Sequence, residues 1–203
     1  YRIEKGAVEE GSGRMSDYIG EVVESGTKGF IARTRRVGEA PHFGSFVRTG
    51  AAAPVYGLVY EIITGSREPV MKPYAYDMSI DELRREQPQI FELLKTEFHV
   101  LTLGYLDSGK IRFALSPLPP PIHSFVYECT DEEKEALSSE DFFLRAIISS
   151  PNVPVDDLII SSLLSAQEVR KNDRDFIVRM GKSLTRYLKD DYERLSSILR
   201  RLV

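Results

Sequence analysis

The pattern of apolar and polar positions changes character twice along the chain. From Tyr18 onward, short β-type segments alternate with turns. Residues 19–24 and 29–35 flank Ser25-Gly26-Thr27-Lys28, a connection of hairpin length, and residues 45–49 follow Pro41 and Gly44. Residues 55–64 (VYGLVYEIIT) are rich in β-branched and aromatic side chains and carry Gly57 inside the run, the mark of a bulge or of the sharp bend of a small barrel. Residues 99–106 and 110–115 bracket Asp107-Ser108-Gly109, a second compact hairpin. Six short strands with frequent turns predict a closed barrel rather than a βαβ sheet.

Residues 67–98 interrupt this pattern with a helical period. Ser79-Ile80-Asp81-Glu82 fits a capping box, and Ile90, Phe91, Leu94 and Phe98 recur at helical spacing after Pro88. This reads as a helical excursion that packs back on the barrel. Ser116-Pro117-Leu118-Pro119-Pro120-Pro121 is too proline-rich for a helix interior or a central strand, so it predicts a stiff extended connector. Beyond it the period is helical to the end. Thr130-Asp131-Glu132-Glu133 is a second capping box, residues 141–149 and 155–169 are helices, and 150–154 is a proline-bounded turn. Residues 173–203 predict one long helix. Ile177, Gly181, Leu184, Leu188, Asp191, Leu195, Ile198 and Leu202 fall at alternating steps of four and three, as in a short heptad seam.

Composition narrows the classes. The chain has 203 residues, 42% hydrophobic and 29% charged, enough for a sizeable core and too ordinary for wholesale disorder. A net charge of −4 gives no global attraction to nucleic acid or to an anionic membrane, and no apolar run is long enough to cross a bilayer. A single cysteine, Cys129, excludes an intrachain disulfide and a CxxC metal site. Residues 1–14 are polar and Gly-containing, precede Met15, and lack a hydrophobic signal core. They are expected to be a poorly ordered leader, and the compartment is expected to be the cytoplasm.

The barrel segments resemble a known family. Tyr18-Ile-Gly-Glu-Val-Val-Glu-Ser, then Gly29-Phe-Ile-Ala-Arg, Phe43-Gly-Ser-Phe-Val and Val55-Tyr-Gly-Leu-Val, are similar in order and spacing to the HAS barrel. That small β-barrel is shared by the N-termini of HerA-type DNA-translocating ATPases and F-type ATP synthase subunits. Leu103-Gly-Tyr-Leu-Asp-Ser-Gly-Lys, the proline run and Ser124-Phe-Val-Tyr resemble the HerA barrel exit, and Gln87 to Phe98 resembles the insert of free-standing HAS-barrel proteins. The resemblance implies a barrel that contributes to subunit association, with a separate ATPase as one partner. The chain departs from the HerA pattern at the P-loop. Gly181-Lys182-Ser183 keeps three letters of GxxxxGK[ST], but Phe176 stands where the first glycine belongs and only twenty residues follow Ser183. The tripeptide reads as a chance match in a helix, and ATP hydrolysis by this chain is not expected.

Other chemistry is sparse. His42, His99 and His123 have no carboxylate or cysteine at ligand spacing, Cys129 reads as a buried inert thiol, and nothing assembles nucleophile, base and oxyanion donors. No catalytic residue, cofactor or metal is assigned. Two candidate contact surfaces remain. Arg33, Arg35, Arg36 and Arg48, with Phe43 and Phe46 among them, are the residue types of a single-stranded nucleic-acid groove, although the same alternation suits a solvated strand face. Ile177, Leu184, Leu188, Leu195, Ile198 and Leu202 form a stripe that either packs on the rest of the chain or meets another protomer, with intramolecular packing favoured.

The expected fold is therefore α+β: a six-stranded HAS-like barrel over residues 15–121 with its helical insert at 67–98, then a helical region over 122–203. The expected function is a non-catalytic assembly or adaptor protein that contacts a protein partner and can self-associate. Nucleic-acid binding through the Arg33–Arg48 face is the alternative, and no membrane contact is expected.

Overall fold

The computed structural model of the chain describes residues 18–50, 53–68, 73–171 and 173–202. The expected leader over residues 1–14 lies outside the described residues. The strands are β1 Gly20–Ser25, β2 Gly29–Thr34, β3 Phe46–Thr49, β4 Val55–Ser66, β5 Leu94–Asp107, β6 Lys110–Arg112 and β7 Phe125–Glu128. All pair antiparallel, and the order β2-β1-β7-β3-β4-β5 closes through a β2–β5 ladder, giving a six-stranded barrel with β6 added on β5.

The closure uses a different sixth strand from the expected one. Lys110–Arg112 is a short extension of β5 outside the ring, and the ring is completed by Phe125–Glu128, beyond the proline run. Gly20↔Val126 on one side and Thr49↔Val126 on the other place this strand between β1 and β3. The proline run thus carries the chain out of the barrel and back into it, and the Ser25 hydroxyl donates to Pro120 O at 2.5 Å where it passes the β1 end.

The barrel interior is filled by Val22, Phe30, Ala32, Val47, Val59, Phe98, Val100 and Val126. Phe98 and Leu94 correct the sequence reading: the helical stripe expected through residue 98 stops at α2, Gln89–Glu92, and β5 starts at Leu94. β-propensity and burial against β2 and β4 override the helical spacing there, since Phe98 is fully buried between Ala32 and Ile62.

The outer faces of β3, β4 and β5 are covered by the C-terminal helices. Phe46, Leu58, Leu101 and Leu103 point out of the barrel into a larger core with Phe143, Leu144, Ile147, Leu158, Ile159 and Leu163. Strands buried on both faces read as continuous apolar runs, and this is why VYGLV and VLTL lack clean alternation. The helices are α3 Asp131–Leu137, α4 Phe142–Ile148, α5 Val155–Val169, α6 Arg174–Tyr187 and α7 Tyr192–Leu202, while the insert holds α1 Ile80–Glu86 and α2. Gly44, at φ +81°, lets the barrel touch α5: a Cβ there would lie 2.5 Å from Ser161 Cβ.

Both capping boxes form as expected: Ser79 with Glu82, and Thr130 with Glu133. The single long helix expected over 173–203 is instead two, broken at Leu188–Asp191. Asp191 is not a seam residue: its carboxylate accepts from the Arg194 backbone N–H at 3.1 Å and caps α7. The break folds the stripe back on the chain. Leu184, Leu188, Leu195 and Ile198 are buried, and Ile177 and Leu202 pack against the same core.

Candidate functional site

The expected basic and aromatic face is dispersed by the fold. Phe46 is fully buried beneath the helices, in ring contact with Phe143 at 6.0 Å, and Phe43 packs against the same core. Strand alternation sends Phe46 to the helix-covered side of β3, a second buried face that a sequence read as half-solvated does not reveal. Arg33 is turned to β5, where it donates to Glu97 at 2.9 Å alongside Lys95 at 2.9 Å. Burial opposes ionisation of Glu97, but these hydrogen bonds outweigh it and hold the carboxyl below its ordinary value.

Arg48 belongs to a clasp between barrel and helices. Its Nε donates to Glu133 at 3.0 Å and its guanidinium lies over the Tyr127 ring at 5.1 Å. The Tyr56 hydroxyl donates to the other Glu133 oxygen at 3.2 Å, and Glu133 also accepts from the Thr130 N–H at 2.9 Å. One carboxylate therefore caps α3 and ties it to β3 and β4. Burial, reinforced by Glu133, pushes the Tyr56 phenol and the neighbouring Cys129 thiol upward. A buried, protonated thiol is a poor nucleophile.

Arg35 and Arg36 stay on the surface next to the exposed, Glu97-paired Arg33. Arg35 lies over the Tyr18 ring at 5.9 Å, and Tyr18 stacks on Phe125 at 4.4 Å. Arg36 pairs with Glu39 at 3.4 Å. A cleft of about 410 Å³ runs between these groups and Glu128. The sequence does not assign Tyr18 and Phe125 to the basic face, because their stacking depends on β7 returning beside β1.

A larger cleft, about 560 Å³, opens between the β1–β2 turn, β5 and the loop before α5. Lys28, Tyr60 and His99 line it. His99 Nδ1 lies 3.2 Å from Glu61, with Tyr60 edge-on to the imidazole at 5.8 Å. Burial, then the Glu61 charge, pushes the Tyr60 phenol upward. The serine hydroxyls in its wall are committed donors, Ser25 to Pro120 O and Ser150 to Ala146 O at 2.8 Å, so among the described residues neither serine is paired with His99 as nucleophile to base.

Gly181-Lys182-Ser183 lies within α6, with Ser183 buried. Its backbone N–H groups belong to a helix rather than to a phosphate-cradling loop. His42 is exposed, His123 contacts Glu21, and among the described residues no three His, Cys, Asp or Glu side chains converge as a metal site. Among the described residues no helix is long and apolar enough to cross a membrane.

A group of exposed apolar side chains sits elsewhere, on the arm formed by the ends of β4 and β5 and the insert between them, apart from the similarly exposed Leu118 of the proline run and Tyr192 of α7. Neither α1 nor α2 has a buried residue. Tyr74 is 79% exposed, Ile80 63% and Leu93 64%, with Ile62 and Ile63 of β4 exposed beside them. The helical period of the insert is legible in the sequence; that its described helices hold no fully buried side chain is not. Compared with known proteins, the chain matches no family model, and no curated protein is significantly similar to it.

Proposed function

We propose that this chain is a non-catalytic assembly or adaptor protein that makes its protein contacts through the barrel side of the molecule. The observation that carries the reading is the arm. Its helices of seven and four residues are too short to be stable by propensity alone, yet neither holds a fully buried residue, Leu83, Ile90 and Phe91 being only half-buried, and the arm presents Tyr74, Ile80 and Leu93 outward. A second protein surface would supply the missing burial. The sequence resemblance to HAS barrels supports the same reading, since it implies a barrel used in subunit association, with a separately encoded ATPase as one candidate partner in the cytoplasm.

The test is comparative capture. Tagged full-length chain and a Tyr74→Ser, Ile80→Ser, Leu93→Ser variant of equal thermal stability are used to recover proteins from cells, quantified by mass spectrometry. The reading expects at least one protein enriched with the unmutated chain and lost with the variant. An identical captured set for both would refute it.

A second reading, binding of single-stranded nucleic acid, is favoured by one arrangement: Arg35 over Tyr18, itself stacked on Phe125. It expects Arg35→Ala with Arg36→Ala to weaken oligonucleotide binding and flatten its salt dependence. No binding by the unmutated chain at low salt would dispose of it.

A further inference from the structure

The far half of β4 is an open sheet edge. β3 accompanies β4 only as far as Val59, whose N–H donates to Ser45 O at 3.0 Å and whose carbonyl accepts from Gly44 at 2.8 Å. The register then shifts between Val59 and Glu61, and from Glu61 to Ser66 β4 is paired with β5 alone; among the described residues no strand lies on its other side.

The direction of the backbone groups follows from the ladder. Arg67 N–H donates to Leu93 O at 2.8 Å, and the pairs Gly65↔Lys95, Ile63↔Glu97 and Glu61↔His99 continue the same two-residue phase. In an antiparallel ladder hydrogen-bonded pairs alternate with non-bonded ones, so Ile62, Thr64 and Ser66 turn their N–H and C=O groups outward. The close Thr64 Oγ1–Thr96 Oγ1 contact, 2.7 Å, is the side-chain approach expected of a non-bonded pair. Such a row of unpaired donors and acceptors is a template for another strand.

The side chains say which strand. Centred on Thr64, the segment is complementary to itself read backward. A two-fold antiparallel pairing sets Thr64 against Thr64 and Ile62 against Ser66, the positions whose backbone groups face outward. It also sets Ile63 against Gly65 and Glu61 against Arg67. Gly65 has open space where a side chain would stand, so the half-exposed Ile63 of a second copy can lie across it. Glu61 and Arg67 are both exposed, and among the described residues no carboxylate lies within ion-pair distance of Arg67. Opposite charges directly across an antiparallel pair are favourable, and like charges are not.

We infer that two copies of this chain associate through β4, residues 61–67 of each running antiparallel about a two-fold axis at Thr64. The inference rests on the assembly reading above and names its partner, a second copy.

The test is sedimentation equilibrium of the full chain from low to high micromolar concentration, with variants chosen for register. Thr64→Pro removes an outward N–H and takes none from the β5 ladder, as an edge strand tolerates. It should leave the fold intact and the chain monomeric. Glu61→Arg or Arg67→Glu alone sets like charges together twice per dimer and should raise the dissociation constant about tenfold. The double exchange Glu61→Arg, Arg67→Glu, and equally a mixture of the two single variants, should restore it. This charge series keeps the test decisive if Thr64→Pro does not fold. A chain that stays monomeric throughout, or a dimer indifferent to both kinds of variant, overturns the inference. The two proposals fail separately: a strict monomer overturns the self-pairing and leaves the captured partner of the insert standing. A β4 dimer whose Tyr74, Ile80 and Leu93 variant captures the same proteins refutes the insert as a partner surface and upholds the self-pairing.

Discussion

Removing Glu133 should cost more than removing any other single surface carboxylate, because three unrelated groups depend on it. Glu133→Ala takes the capping partner of Thr130, the acceptor of the buried Tyr56 hydroxyl and the counter-charge of Arg48. The half of the capping box that Glu133 supplies, one hydrogen bond from the Thr130 N–H, is worth about 1 kcal/mol. A buried hydroxyl left without an acceptor costs about 1–2 kcal/mol. The ion pair adds little, about 0–1 kcal/mol, because the Arg48 side chain is 28% exposed and water screens it. The sum is about 2–4 kcal/mol, which for a chain of this size is a fall in Tm of about 5–15 °C. Glu133→Gln keeps an acceptor for Tyr56 and should lose about half as much. The assay is urea unfolding followed by circular dichroism, with Glu135→Ala on the same helix as control, expected within about 0.5 kcal/mol of the unmutated chain. A double-mutant cycle with Tyr56→Phe should show coupling of at least about 0.5 kcal/mol. If Glu133→Ala were indistinguishable from Glu135→Ala, or uncoupled from Tyr56, the clasp would not hold the helices to the barrel.

Three further outcomes are expected. Phe98→Ala, which empties the centre of the barrel, should cost about 3–5 kcal/mol in the same assay, whereas a residue on an exposed helix stripe would cost far less. Gly44→Ala should cost about 1–3 kcal/mol, since alanine is strained at φ +81° and its Cβ would push on Ser161; an unchanged midpoint would mean the barrel does not touch α5 there. Stability should fall in alkali. Cys129 and Tyr56 have folded pKa values raised above their ordinary 9.0 and 10.0, so the fold holds protons that the unfolded chain releases. Their contribution is complete below the unfolded values and is lost as pH rises, by up to about 1.4 kcal/mol per pH unit for each group. Tyr56→Phe should remove one proton's worth of slope above about pH 10, and an unaltered slope would contradict the burial of that phenol.

Some of this architecture is readable residue by residue. Period-two runs, hairpin turns and the two capping boxes encode their own local geometry, so β1 to β4, the part of β5 from His99 onward, α1 and α3 follow from neighbours in sequence. What is not readable depends on distant partners. Phe125–Glu128 is a four-residue strand whose only claim to the barrel is the edge left between β1 and β3. Phe98 stands at helical spacing from Ile90, Phe91 and Leu94, and only its burial against β2 and β4 decides for a strand. Asp191 falls on the heptad stripe, and its role as a cap appears only once Arg194 N–H is placed. The candidate surfaces were less legible still: Phe46 and Arg48 lie on faces that the sequence could not know were covered by helices. The β4 edge is exposed because the pairing that leads into β3 begins only at Gly44, a fact about β3 rather than about β4.

The proposed association makes the arm the place where this chain meets another, in the first instance a second copy. Amide hydrogen exchange read at single residues, at low and at high micromolar concentration of the full chain, examines that claim at its atoms. The amides of Ile62, Thr64 and Ser66 should slow as concentration rises while those of Val59 and Val100, already paired inside the barrel, stay unchanged. Exchange at the three outward amides that is equally fast at every concentration would contradict it.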